Sequence, residues 1–164
     1  MDNNDRLVRL RYALDIKDND AVEIFKLGGI EVTEEEVRVL IAKSQDDSEE
    51  DYRGITSSKK LESFLNGLII FKRGKQEPKE GQPVTPILTM QDNESANNIM
   101  LKKLKIALSL DSDDVICILD EVGINVSKGE LGAFFRKEGH PKYKECGDKY
   151  ARNFLSGLEG RYRS

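Results

Sequence analysis

One stretch of the chain occurs twice. LRYALDIKDNDAVEIFKLGGIEVTEEEV runs from Leu10 to Val37, and LKIALSLDSDDVICILDEVGINVSKGEL from Leu104 to Leu131. Residue 10 faces residue 104, an offset of 94 without a gap, with Leu10/Leu104, Ala13/Ala107, Ile24/Ile118, Gly29/Gly123, Val32/Val126 and Glu36/Glu130 identical. The match begins at Asn3-Asn4 against Asn97-Asn98. It resumes at an offset of 90, where Phe64-Leu65-Asn66-Gly67-Leu68 faces Phe154-Leu155-Ser156-Gly157-Leu158. The shift of four residues falls in the loop before the last helix of the unit, where insertions cost little. A self-match of this period constrains the fold more than any local motif.

The apolar spacing of each copy is helical. Leu7, Leu10 and Leu14 recur at i, i+3 and i+7, which marks one face of a helix. The pattern predicts four helices per copy. In the first they are Asn4–Leu14, a helix capped by Asp18 or Asn19 and running to Leu27, then Glu34–Lys43, then a helix capped by Ser57 or Ser58 and running to Arg73. In the second they are Asn98–Leu108, Asp113–Val122, Lys128–Lys137 and Gly147–Tyr162. Gly28-Gly29 ends the second helix, one glycine supplying a left-handed cap. Thr33 to Glu36, repeated as Ser127 to Glu130, has the spacing of a capping box. Gly67 and Gly157 sit in mid-helix, a cost of up to ~1 kcal/mol each against alanine, which close approach of another helix would offset. The expected fold is all-α, a tandem duplication of a four-helix module: 1–74, a proline-bearing linker at 75–96, then 97–164. Val84 to Met90 is apolar enough to dock on something. Each copy alone would have a marginal core, so the two are expected to pack on each other or on a partner.

No apolar run approaches the ~18 residues of a membrane span, and MDNNDRLVRL lacks a signal-peptide core, so a cytoplasmic protein without membrane contact is expected. Cys117 and Cys146 face Glu23 and Thr56 in the other copy, so no disulfide is built into the module. Cys117, among Val115, Ile116, Ile118 and Leu119, is expected in the core, and Cys146 at a helix start, where the dipole lowers a thiol pKa. The net charge is −4. Residues 1–80 carry 14 Lys and Arg against 18 Asp and Glu, and residues 81–164 carry 12 of each, unlike a nonspecific nucleic-acid binder.

Three stretches, NNIMLKKLKIALSLDSDD (97–114), ECGDKYARNFLSGL (145–158) and FLNGLIIFKRG (64–74), resemble the uncharacterised bacterial YehS-like family, a duplicated domain of unknown function. The resemblance covers both copies and is weak in the linker and at Gln45 to Asp51. It implies a small cytoplasmic protein with two copies of one helical domain and no assigned reaction, ligand or catalytic residue. A cysteine expected near Thr56, matching Cys146, is missing here.

Catalytic constellations are not visible. His140 is the only histidine and fits no zinc spacing, the acidic helix starts at Asp18/Asp20 and Asp111/Asp113/Asp114 lack a calcium loop's glycine, and no phosphate loop is present. No cofactor is expected. The second and third helices resemble a helix-turn-helix, but Glu34-Glu35-Glu36 would oppose a polyanion, so a plain capped hairpin is the simpler reading. Basic residues recur in both copies: Arg9/Lys103, Arg11/Lys105, Lys43/Lys137 and Arg73/Arg163. If the first and last helices of each copy are neighbours, these make one basic edge per copy that can track a phosphate backbone. A solvated face with cations near helix C-termini explains the same residues. The sequence therefore points to a noncatalytic binding protein, for nucleic acid through the repeated basic edge or for a protein partner, with homo-oligomerisation open.

Overall fold

The computed structural model describes residues 3–41, 58–74, 96–136 and 140–163. Among these are eight helices and no strand: α1 (Asn3–Ala13), α2 (Asp18–Leu27), α3 (Glu34–Ile41), α4 (Ser58–Arg73), α5 (Ala96–Ala107), α6 (Ser112–Glu121), α7 (Lys128–Phe134) and α8 (Asp148–Tyr162). The all-α reading and the duplication hold, and boundaries move by one or two residues, as frayed ends do. The Lys128–Lys137 helix is the exception: α7 stops at Phe134. Val84 to Met90 and Gln45 to Asp51 lie outside the described residues.

The copies match in backbone detail. Asp15 and Ser109, equivalent residues just after α1 and α5, both take positive φ (52° and 54°), as do Gly29 and Gly123 (97° and 84°). Ile16 N donates to Arg11 O and Leu110 N to Lys105 O in the same turn. Caps differ. Asp111 and Asp114 form a full capping box on α6. On α2 the cap position is Lys17, without a side-chain bond. Asp18 is already helical and its carboxylate serves Arg11 and Arg38 instead.

The packing is not that of two separate modules. α4 packs on α2 and α5, α1 on α8 and α3, and α6 on α8. The first helix of each copy thus lies against the last helix of the other. One apolar cluster runs through both copies, from Leu7, Leu10 and Ile24 through Phe64 and Leu68 to Met100, Leu104, Phe134, Phe154 and Leu158. The two copies share one core. α1 and α8 run parallel: Arg6 meets Asp148 at their starts (3.9 Å) and Arg163 meets Tyr12 at their ends.

Two features fix this arrangement. A Cβ on Gly67 would overlap the Ile24 carbonyl, and one on Gly28 the Ser63 carbonyl, so α2 and α4 cross with backbones in contact. Gly157 does the same for α8, where a Cβ would lie 2.5 Å from Ile118 Cγ2 and 2.8 Å from its carbonyl. The close approach expected from the mid-helix glycines is present in both copies. The second feature is Arg6, buried on α1. Its Nε donates to Asn97 Oδ1 and its Nη1 to Asn3 Oδ1, both at 2.8 Å. Asn3 and Asn97 are equivalent residues, so one guanidinium joins the two copies where they meet.

Candidate nucleic-acid interface

The packing corrects the expected edges. The first and last helices of one copy are not principal neighbours; the extensive pairs are α1·α8 and α4·α5. Each basic edge is therefore built across copies, and the eight expected residues are dealt out differently. Lys43 and Lys137 lie outside the described residues. Arg9 is exposed on α1 and, among the described residues, has no ion pair. Arg11 bonds Asp18 at 3.5 Å, while its Nε is buried without a partner. Arg73 is exposed at the end of α4. Lys105 Nζ lies 4.8 Å from the centre of the Phe135 ring. Arg163 stacks on Tyr12 at 3.9 Å and donates to Asp15 at 3.2 Å and to the Tyr12 carbonyl at 3.1 Å.

Lys103 departs furthest from the expectation. It turns inward onto α4, where Nζ donates to Asn66 Oδ1. Burial lowers its pKa, and the nearby Glu62 carboxylate acts against that. Glu62, Ser63 and Asn66 are all buried, so α4 is covered on its polar side as well as its apolar one. Arg11 and Lys103 thus do not join a continuous outward positive surface, because each finds a partner within the fold.

Sequence reasoning missed Lys149 and Arg152. Both are exposed on α8 and, among the described residues, neither has an ion pair. Arg161, on the same helix, is spent on Glu121, with bonds of 2.9 and 3.3 Å that hold the Glu121 carboxyl below its usual range. The signal for Arg152 was in the repeat: at an offset of 90 it faces Glu62, a charge reversal.

Charge sorts by layer. The helices of the two cross-copy pairs, α1, α4, α5 and α8, carry 13 Lys and Arg against four Asp and Glu. The flanking helices α2, α3, α6 and α7 carry three against 11. In α1, α4, α5 and α8 the last turn is basic, which the helix dipole favours on its own.

The thiols fall opposite to expectation. Cys117 is exposed on α6, because Val115, Ile118 and Leu119 take the inward positions and leave residue 117 on the outer face. Cys146 is buried, and its pKa is pushed up to about 12, mainly by burial and then by Asp148 and Glu145. The helix dipole does not activate it. Its backbone is fully used: Cys146 N donates to Asn98 Oδ1 at 2.8 Å, and Asn97 Nδ2 donates to Cys146 O at 3.0 Å. The segment is thereby tied to α5.

No described helix is long and apolar enough to cross a membrane. A shallow groove of about 480 Å³ opens on the α2–α3 hairpin, lined by Val22, Lys26, Glu31, Val32, Thr33 and Glu36.

A family model described as a protein of unknown function (DUF1456) matches the chain twice, at residues 3–74 and 97–164. The chain is 41% identical over 158 residues to the "Uncharacterized protein YehS" of Escherichia coli (strain K12), covering 96% of this chain and 94% of that one. No solved structure matches. The doubled helical unit, with its copies interlocked through α1·α8 and α4·α5, belongs to the DUF1456 family of proteins of unknown function.

Proposed function

We propose that the protein is a noncatalytic binding protein whose ligand is the phosphate backbone of nucleic acid. The sorting of charge by layer carries this reading. Although the net charge is −4, the cations of the described helices fall mostly on four of them, two of which, α1 and α8, present Arg9, Lys149 and Arg152 exposed and outside any ion pair among the described residues. Part of the positive charge is answered within the fold, as with Arg11 on Asp18 and Arg161 on Glu121. The remaining cations are what a polyanion would neutralise, with release of counterions. The test is a titration of the protein with labelled single-stranded and double-stranded DNA and RNA at two salt concentrations. Micromolar binding that weakens steeply with salt supports the reading, and absence of binding at low salt removes it. A protein partner is the second reading, favoured by the α2–α3 groove, whose valines lie beside Glu31 and Glu36 and suit a short basic peptide. Retention of such a peptide with no nucleic-acid binding would put it first.

A further inference from the structure

The two helix pairs are equivalent by the repeat, yet they have diverged in what they show to solvent. On α4·α5 the lysine at the crossing, Lys103, is bonded to Asn66 and faces the field of Glu62. The equivalent residues on α1·α8 are Arg9, Ser156 and Arg152, and all three are exposed. A half-buried lysine near a buried carboxylate on one side corresponds to two exposed arginines on the other. The aromatic content differs in the same sense. Tyr12 (41% exposed) and Tyr162 (39%) stand at the shared C-terminal end of α1 and α8, where α5 and α4 have Ile106 and Lys72.

Along α8 the exposed residues Lys149, Arg152, Ser156 and Gly160 follow one another at helical spacing of three or four, with Arg163 just past the helix end. They make a stripe about 20 Å long at 1.5 Å per residue. Lys149 and Arg152 lie towards one end, and Arg163 with the aromatic neighbours at the other. Between them are two small residues, and a side chain added at Gly160 would meet nothing within 4 Å. Beside the stripe α1 presents Arg9 and Tyr12 one turn apart. Arg163 holds the Tyr12 ring from one side, its own charge anchored by Asp15, so it acts as a positioning residue. Cations in a row beside exposed aromatic rings suit a single strand, whose phosphates follow the charges and whose bases stack. A duplex hides its bases and leaves the rings unused.

We infer that the α1·α8 face, and not its counterpart on α4·α5, binds single-stranded nucleic acid, with Arg9, Lys149 and Arg152 on phosphates and Tyr12 and Tyr162 stacked on bases. The inference rests on the nucleic-acid reading above and names its face and strand type. It is tested by fluorescence anisotropy of a labelled oligothymidylate, and of a duplex of equal length, against the full chain. The wild type binds the single strand more tightly than the duplex. The double variant Arg9→Ala/Arg152→Ala binds about tenfold or more weakly and reduces the steepness of the log–log salt dependence by about 1.4, the value for two phosphate contacts on a single strand. Tyr162→Ala loses about fivefold or more, and Tyr162→Phe restores the affinity, as stacking requires. Lys72→Ala/Lys102→Ala on the other pair changes affinity less than twofold. All these residues are at least partly exposed, and an unchanged far-UV spectrum confirms that each variant is folded. Equal losses from the two pairs, a preference for duplex, or indifference to Tyr162→Ala overturns the inference and leaves the nucleic-acid reading standing. No binding of either probe by the wild type at low salt overturns both.

Discussion

At the scale of single residues, the same position does different work in the two copies. Arg6 corresponds to Met100, which is buried and apolar, while Arg6 gathers Asn3, Asn97 and, at 3.9 Å, Asp148. Replacing Arg6 with Met, the residue of the second copy, keeps most of the volume and removes the donors from two buried amide oxygens. Urea unfolding is expected to show a loss of about 2 kcal/mol, the scale of a buried acceptor left unpaired. The thiols offer a second test at this scale. Cys117 is exposed and Cys146 is buried with its pKa raised to about 12. Brief alkylation of the native protein at pH 8 is therefore expected to give one adduct, at Cys117, and a second only after unfolding. Sequence reasoning placed both thiols the other way round. An apolar neighbourhood in sequence does not say which side of a helix a residue takes, and a helix start activates a thiol only if solvent or a cation reaches it.

At the scale of elements, the helices and the caps at Thr33 and Ser127 were legible because they depend on local chemistry, while the α2 cap, expected at Asp18 or Asn19, falls at Lys17 with no side-chain bond. The hydroxyls of Thr33 and Ser127 accept from the amides three residues on, as the spacing indicated. The mid-helix glycines were legible too, since a helix keeps such a residue only where something approaches it. How hard they are to replace depends on what approaches. A methyl group at Gly67 would overlap the Ile24 carbonyl oxygen outright and lie 2.9 Å from the Gly28 amide, while one at Gly157 meets the methyl of Ile118 at 2.5 Å and its backbone carbonyl at 2.8 Å, a lesser overlap. Gly67→Ala and Gly157→Ala are both expected to destabilise, by about 3 kcal/mol or more and by about 1–2 kcal/mol respectively, with the order checked by thermal melting. The pairing of elements was not legible. The basic edges were drawn on the premise that each copy closes on itself, and nothing local in Leu7, Leu10 or Phe64 says whether the stripe of α1 will face α4 or α8.

At the scale of the whole molecule, exchange of first and last helices makes the copies interdependent. α1 without α8, and α5 without α4, would leave apolar stripes in water, and either copy alone has too little core to compensate. The exchange also makes each cationic face a composite of both copies, so that the candidate nucleic-acid face on α1·α8 exists only when residues 3–13 and 148–162 come together. The repeat has two such faces, and they differ at Arg9/Lys103 and Arg152/Glu62: one shows two exposed arginines where the other has a lysine turned inward near a buried carboxylate. Unfolding of the full chain is accordingly expected to be a single transition, with far-UV and tyrosine signals coincident.

The interlocking of the copies is tested most directly by separating them. Residues 1–74 and 75–164 are made as two fragments, and far-UV circular dichroism is recorded for each alone and for an equimolar mixture. The structure predicts little helix in either fragment and recovery of helix on mixing, with a complex of one copy of each. Two fragments that are fully helical alone, with no gain on mixing, would contradict it and return the protein to two independent domains.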